Sequence, residues 1–360
     1  MSYSTESITL DKKSELAHAV LPETHRAPNE IIYVSAVIPC FNEERFISKV
    51  LHHLASQYNP DHYEILVVDG GSTDDTRKAI TEFATRNPAV RVRIVDNPAR
   101  NIPTALNLGI RAAVGEIIVR MDAHSIPSAG YVRRCVELLT EGEVSVVGMP
   151  WRIKPGADSL MARAIALAVA HPFGIGDAKY RLTNATTQFV DTVPFGAFKK
   201  RLWEELGGFD EGLLANEDYD FNYRVRRRGG QVLLDSTAHS DYFARASLRE
   251  LATQYFRYGR WKAQMVKLHP RSIKLRHWAA PAFVAYLLLT VVLGLLWPRM
   301  LWLLLPVLAL YALLSFVFSL RLAWKAGDWK LTAVIPLVFF VVHCAWGSSF
   351  LVGLLRRLRP

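Results

Sequence analysis

Three long apolar runs near the C-terminus constrain the fold of this chain more than any other feature. They cover residues 278–298, 300–320 and 331–355, and none of them contains Asp, Glu, Lys or Arg. Each reaches the ~20 residues that a helix needs to cross a bilayer. Helices of soluble proteins rarely stay apolar on all sides for so long. We therefore predict a transmembrane region over residues 278–355 with about three helices.

The segment before the first apolar run is basic. Residues 251–277 contain seven Lys or Arg side chains, in a chain of formal net charge +10. Because they adjoin an apolar run, we interpret them as a basic amphipathic interfacial segment on the cytoplasmic side, facing anionic membrane lipids, and not as a nucleic-acid site. Three full spans would place the C-terminal "RRLRP" outside, against the positive-inside tendency. Either one run does not span the membrane, or the tendency is broken here.

The rest of the composition agrees with a cytoplasmic body. Residues 1–30 form a mixed polar arm without the apolar core of a signal peptide. The chain has three isolated cysteines without metal-ligand spacing, which favours a reducing compartment and no disulfides.

Residues 31–122 alternate between strand and helix patterns. Strands are predicted at 31–40, 63–71, 92–97 and 116–122, with helices at 42–57, 72–86 and 103–114. Such alternation predicts parallel βαβ units, and the α/β domain is expected to span 31–250. In these sheets ligands bind beyond the carboxyl ends of the strands, where Asp69 and Asp122 lie.

The residues at this edge of the sheet restrict the class of ligand that can bind there. No GxGxxG and no GxxxxGK[ST] is present, so neither a dinucleotide nor a P-loop site is favoured. Carboxylates bind a diphosphate only through a divalent cation, and Asp122 with His124 would suit Mg²⁺ or Mn²⁺. Taken alone, an aspartate at a strand end is more often a turn or cap residue than a metal ligand.

Several motifs occur together in one order: "VSAVIPCFNEE", "ILVVDGGSTDDT", "NPARNIPTALNLGIRAAVGEIIVRMDAH", "VPFGAFKKRLWEELGGFDE", "NEDYDFNYRVRRRGG" and "QYFRYGRW". Over roughly residues 31–265 the chain resembles a family 2 glycosyltransferase of the GT-A fold. It is most similar to the succinoglycan-biosynthesis glucosyltransferase group. The resemblance implies an inverting enzyme with a nucleotide-sugar donor, usually UDP-linked.

The resemblance also implies roles for individual residues. Those expected to line the nucleotide site are Pro39, Glu43, Asp69, Arg100, Asn107 and Asp122. Asp122 stands at the first position of the family's DxD motif, and His124 replaces the second aspartate as a metal ligand. His239 is a candidate third metal ligand, with a purely structural role as the alternative.

The acidic pair at 217–218 is a candidate catalytic site. Inversion requires a base that deprotonates the acceptor hydroxyl, and one carboxylate suffices. We expect Asp218 to be that base, with Glu217 orienting it. The alternative is that these acids only stabilise the start of a helix.

"QYFRYGRW" resembles the QxxRW element of processive synthases, but Tyr258 stands where the tryptophan belongs. Gln254, Arg257 and Trp261 are expected at the diphosphate and acceptor end, with Arg257 steadying the leaving diphosphate. The alternative is an interfacial helix at the lipid headgroups. The two interpretations are compatible.

Together these features predict a membrane-anchored hexosyltransferase, at the cytoplasmic face of a bacterial inner membrane, in exopolysaccharide biosynthesis. It would move a hexose such as glucose from a UDP-sugar to a polyprenyl-linked acceptor. The alternatives are transfer to polyprenyl phosphate itself and a catalytically silent nucleotide-sugar-binding subunit. A channel is disfavoured because the three runs contain no acidic residue and only His343 as a readily ionised group.

Overall fold

A computed structural model describes residues 33–356; the predicted polar arm at 1–30 and the last four residues lie outside this range. The strands are β1 (Val34–Cys40), β2 (Tyr63–Asp69), β3 (Arg91–Asp96), β4 (Ile117–Arg120), β5 (Ser125–Pro127), β6 (Val144–Gly148), β7 (Trp151–Lys154), β8 (Gln188–Phe189), β9 (Ala197–Lys199), β10 (Gln231–Leu234) and β11 (Ser240–Phe243). The helices are α1 (Ile47–Ala55), α2 (Thr76–Arg86), α3 (Ile102–Ala112), α4 (Tyr131–Glu141), α5 (Leu160–Ala168), α6 (Pro172–Ile175), α7 (Lys200–Leu206), α8 (Glu217–Arg227), α9 (Leu248–Leu268), α10 (Ala279–Leu296), α11 (Leu304–Ala326) and α12 (Leu331–Leu355).

The main sheet has eight strands in the order β3-β2-β1-β4-β9-β6-β10-β8. Its first four strands are parallel, with Cys40 level with Asp69 and Asp69 level with Asp96. Nearly all residues of β1, β2 and β4 are buried, as expected for parallel strands covered by helices on both faces. The predicted α/β fold is confirmed, and its strand ends meet at one edge.

The second half of the sheet is mixed, which the purely parallel prediction did not include. The three-residue strand β9 runs antiparallel to both β4 and β6. A strand this short leaves too little alternation for its sequence to predict it. A second sheet, β5-β11-β7, begins directly after β4, and so it packs beside the edge where Asp122 lies.

The three predicted apolar helices are present. The segments 275–296, 298–326 and 331–355 are long and apolar enough to cross a membrane. Many of their large apolar side chains lie on the surface of the protein; Leu295 is 81% exposed and Trp302 71% exposed. Such exposure suits contact with lipid acyl chains and would be costly in water.

The basic segment before these helices forms α9, which starts three residues before the predicted boundary at 251. Its buried residues recur at helical spacing: Leu251, Gln254, Tyr255, Gly259, Lys262, Ala263 and Met265. This face packs closely along α12. The segment is therefore built into the protein as well as being a candidate for the membrane surface.

A close approach between α9 and α12 depends on Gly259. A Cβ atom there would lie 2.2 Å from Ser349 Oγ and 2.3 Å from the Trp346 carbonyl oxygen. Gly259→Ala is expected to cost about 1–3 kcal/mol of stability, because a backbone atom of α12 must move. Thermal unfolding in detergent measures this. Thr253→Ala adds no atom on the exposed face of α9 and is the control; equal midpoints for both variants would contradict the prediction.

Candidate active site

The end of β4 carries a buried arginine that the sequence analysis did not single out. Arg120 is 4% exposed. Its Nη2 atom lies 2.9 Å from Glu217 Oε1 and 3.6 Å from Asp122 Oδ1, and its Nη1 atom donates to Asp218 Oδ1. A guanidinium presents several donors in a fixed fork and can hold more than one carboxylate. Arg120 thereby brings together three of the predicted site residues.

The acidic pair is oriented by the start of α8. Asn216, just before the helix, adopts a left-handed conformation with φ 68° and makes no side-chain cap bond. The side chains of Glu217 and Asp218 pair with Arg120 on the neighbouring β4. This geometry supports a role in the site over the alternative of helix capping. The next acid, Asp220, is instead tied to Arg224 and His269.

The surroundings of Asp218 change its acidity. Burial raises its pKa to about 7, because Glu217 and Asp122 add to the effect and the charge of Arg120 offsets it only in part. A carboxylate poised near neutral pH is suited to accept a proton. The side chain is 24% exposed and lines a cavity, so a substrate can reach it.

His124 is paired with Glu43. Its Nδ1 atom lies 2.9 Å from Glu43 Oε1. Burial disfavours the imidazolium, but Glu43 and Asp122 outweigh it, and the pKa of His124 lies above its ordinary value. A carboxylate on one ring nitrogen leaves the other available and orients the ring, an arrangement common for metal-ligating histidines.

Asp122 and His124 fit a divalent cation as a pair. Both line the cavity, and Mg²⁺ in nucleotide sites is often held by one or two protein groups together with substrate phosphates. The structure does not add His239 to them. His239 Nε2 lies 3.8 Å from Asp241 Oδ1, and no three His, Cys, Asp or Glu side chains within 33–356 are grouped as a metal site requires. His239 lies just before β11, and its role as a third metal ligand stays a prediction.

The ends of β1 and β2 form the predicted nucleotide side. Pro39 lies level with Val68, one residue before Asp69. Asp69 is fully buried and accepts hydrogen bonds from Ser72 and from Arg77 Nη1 at 2.8 Å. The Arg100 guanidinium lies over Gly71, where a Cβ atom would come within 3.4 Å of it. The nucleotide roles of Pro39, Asp69 and Arg100 stay predictions.

Asn107 has a structural role in place of the predicted nucleotide contact. Its Oδ1 atom accepts from the Phe209 backbone N–H and from Trp203 Nε1, and its Nδ2 atom donates to the Phe209 carbonyl and to Glu211. The side chain is 3% exposed. Its hydrogen-bonding capacity is used inside the protein, and it anchors α3 to the segment before α8.

Two of the three predicted α9 residues line the cavity. Gln254 Nε2 donates to the hydroxyls of Tyr242 and Tyr258, both at 3.1 Å. Arg257 is exposed, and its guanidinium lies over the ring of Tyr258. Tyr258 is the residue at the position where the motif has tryptophan. Trp261 is outside the cavity lining and packs on the cluster that contains Met265, so the structure gives its predicted contact no support.

One cavity joins these groups to the apolar helices. It has a volume of about 670 Å³. At one end it is lined by the Arg120 cluster, and at the other by α10, α11 and α12 through Phe283, Tyr311 and His343. A reacting group beside Asp218 and an apolar chain between the helices could therefore share one space.

Comparisons with known proteins agree with this geometry. The glycosyl transferase family 2 model matches residues 35–207. The succinoglycan biosynthesis protein ExoA of Rhizobium meliloti (strain 1021) is 30% identical over 320 residues, covering 87% of this chain and 92% of that protein. The dolichyl N-acetyl-alpha-D-glucosaminyl phosphate 3-beta-D-2,3-diacetamido-2,3-dideoxy-beta-D-glucuronosyltransferase of Methanococcus voltae is 25% identical over 330 residues, covering 90% and 98%.

A solved structure has the same fold. The mannosyltransferase PcManGT from Pyrobaculum calidifontis, in complex with GDP-Man and Mn²⁺, superposes with a TM-score of 0.60 at 20% identity, covering 89% of this chain and 88% of that chain. The resemblance seen in the sequence motifs is confirmed by the family match and by the relative at 30% identity. The chain belongs to glycosyltransferase family 2 and is a glycosyltransferase.

Proposed function

We propose that the protein transfers a hexose, with glucose as the first candidate, from a UDP-sugar to a lipid-linked acceptor, with inversion at the anomeric carbon. The observation that carries this is the single cavity running from the Arg120 cluster to the three membrane-length helices. A soluble acceptor would have no use for an apolar exit between such helices.

The chain's own residues supply the steps. The acceptor hydroxyl attacks the anomeric carbon, the bond from that carbon to the diphosphate oxygen breaks, and Asp218 takes the hydroxyl proton as UDP departs. Arg120 and Glu217 hold Asp218 in place. Arg257, at the cavity wall, is positioned to meet the negative charge on the departing diphosphate.

The residues that would hold a divalent cation are Asp122 and His124. When bound, Mg²⁺ or Mn²⁺ would neutralise charge on the donor diphosphate. Glu43 orients His124 through Nδ1. The solved structural neighbour was obtained with Mn²⁺, which supports a divalent metal without choosing between the two ions.

The acceptor is proposed to be a growing polyprenyl-diphosphate oligosaccharide of exopolysaccharide synthesis. One relative is named for succinoglycan biosynthesis and another for transfer to a dolichyl-linked sugar phosphate, and both names suit a lipid that already carries sugar. With the basic segment before α10 facing the cytoplasm, the catalytic domain would lie on the cytoplasmic face of a bacterial inner membrane.

The first experiment measures nucleotide release by the detergent-purified protein. It is supplied with UDP-glucose, Mg²⁺ or Mn²⁺, and either sugar-bearing prenyl diphosphate or bare prenyl phosphate. We expect UDP release that needs both metal and the sugar-bearing lipid and that stops on chelation.

The outcomes separate the candidates. Release with bare prenyl phosphate alone would move the reaction to the sugar–phosphate linkage. Release only from a GDP-sugar would replace the donor. Nucleotide binding without release from any donor and lipid would favour a silent binding subunit.

A further inference from the structure

Lys262 is a buried basic residue without a carboxylate partner. It lies on α9, is 3% exposed, and lines the same cavity as Asp218. Its Nζ atom lies 2.9 Å from the centre of the Tyr219 ring. No hydrogen bond or ion pair joins it to any residue within 33–356. Burying an unpaired ammonium is costly, so such a group points to an anion that completes the site.

The surroundings of Lys262 are positive. Arg276 and Lys274 both pair with Asp191, the latter through Nζ at 3.1 Å from Oδ2. Lys274 and Arg276 thus already occupy the one buried carboxylate near Lys262, while Asp177 lies farther off, 3.8 Å from Arg276, and is half exposed. Burial lowers the pKa of Lys262 well below its ordinary value, and the charge of Asp191 does not offset this. A bound anion would restore the charged form.

Arg181 is a second buried basic residue that lines the same cavity. Arg181 is 8% exposed and makes no ion pair within the described chain. Its Nη1 atom donates to the Tyr255 hydroxyl at 3.2 Å, and its guanidinium lies 4.8 Å from the Trp151 ring centre. Lys262 and Arg181 thus line one cavity without carboxylate partners. Neither belongs to the donor side, which is proposed to lie at Asp122 and His124.

The location of Lys262 identifies where the anion comes from. Tyr219, on which it rests, follows the proposed base Asp218 directly in α8. Arg276 stands just before α10, the first membrane-length helix, and Phe283 and Trp346 line the cavity beyond it. An anion held here would have the base on one side and apolar helices on the other.

We infer that Lys262, supported by Arg276 and Arg181, binds the phosphate of the isoprenoid-linked acceptor as its apolar chain enters between α10 and α12. This inference rests on the proposed function, because it supplies the acceptor end of that reaction. The ligand class is a phosphate monoester or diphosphate on a long apolar chain. The two other sources of the same chemistry are free phosphate and the diphosphate of the donor nucleotide.

The test is direct binding, which needs no turnover. The full chain in detergent is titrated with geranylgeranyl phosphate, geranylgeraniol, inorganic pyrophosphate and UDP, using wild type, Lys262→Met and Arg271→Met. Arg271 is an exposed cation of the same basic segment and controls for general attraction to anionic lipid. We expect Lys262→Met to lower the affinity for geranylgeranyl phosphate about ten- to hundredfold and to leave the affinity for UDP unchanged. Arg271→Met should bind both ligands about as tightly as wild type.

Folding does not confound this test. Lys262→Met replaces a buried amine that has no carboxylate partner by an apolar side chain of similar volume, so its thermal midpoint should equal or exceed that of wild type. Lys262→Gln serves in the same assay if the methionine variant does not fold. Retained binding in a folded variant would overturn the inference.

Other outcomes assign the site differently. Equal loss of UDP affinity in Lys262→Met would give the site to the donor diphosphate, and pyrophosphate binding as tight as the prenyl phosphate would make it a free-phosphate site; both overturn the inference. Lys262-dependent binding without any sugar transfer would support the site while the proposed function fails. Sugar transfer with an unchanged acceptor KM in Lys262→Met would support the proposed function and overturn the inferred role of Lys262.

Discussion

Replacing Asp218 by asparagine is expected to lower kcat for sugar transfer by about 10²–10⁴-fold, because an amide cannot take the acceptor proton. The fold should survive, since Arg120 keeps Glu217 and Asp122 as partners. Donor binding should therefore stay close to wild type. Single-turnover transfer, together with a separate measurement of UDP affinity, distinguishes these effects.

The control for this substitution is Asp61→Asn. Asp61 is exposed and lies before β2, whose opposite end carries Asp69. The Asp61→Asn variant should transfer sugar at the wild-type rate. If Asp218→Asn transferred within a few-fold of Asp61→Asn, the base would have to be another group.

The same residue sets an expected pH profile. Burial, with help from Glu217 and Asp122 and opposed by Arg120, raises the pKa of Asp218 to about 7. The carboxylate form that can accept a proton is thus populated above about pH 7, and kcat/KM should fall as the pH drops through that value. The residual activity of Asp218→Asn should lack this limb; a limb at the same pH in the variant would assign it to a different group.

Replacing Arg120 by methionine is expected to destabilise the folded protein by about 3–5 kcal/mol, because three carboxylates would be left at a buried position without their cation. In a chain of this size that corresponds to a fall in thermal midpoint on the order of 10 °C. Transfer should be lost as well, since the charge of Arg120 lowers the pKa of Asp218, and without it the proposed base would be protonated at neutral pH.

The matched control is Arg152→Met. Arg152 also pairs with an aspartate, Asp241, but its side chain is 54% exposed, and exposed ion pairs contribute about 0–1 kcal/mol. The destabilisation of Arg120→Met should shrink as the pH falls below about 7, where Asp218 is protonated and no longer needs a cation. Equal midpoints for the two methionine variants would show that Arg120 is not a structural hub.

Sequence patterns predicted one half of the main sheet and missed the other half. The alternation of buried strands and amphipathic helices predicted the parallel half of the sheet, and it therefore predicted that Asp69 and Asp122 share one edge. The mixed half was missed because β9 has only three residues. The long apolar runs predicted α10 to α12 because length and uniform apolarity are properties of the sequence alone.

The sequence patterns did not predict the contacts of the candidate site side chains. Asn107 matched a family position, yet its amide is used by Phe209, Trp203 and Glu211, which lie about a hundred residues away along the chain. Trp261 and His239 matched the expected residue types but lie outside the cavity. The one available signal for Arg120 was an arginine inside the apolar run "EIIVRMDAH", since a charge on a buried strand requires a partner.

The sequence by itself determined the family, the parallel half of the sheet and the membrane-length helices, because these depend on local period, length and motif order. Only the tertiary structure decided that Arg120 pairs with Asp218, 98 residues away, and that Lys262 is buried without a carboxylate partner in the same cavity. Charge pairing and burial are properties of the space between elements distant in sequence, and no local pattern encodes which side chains will share it.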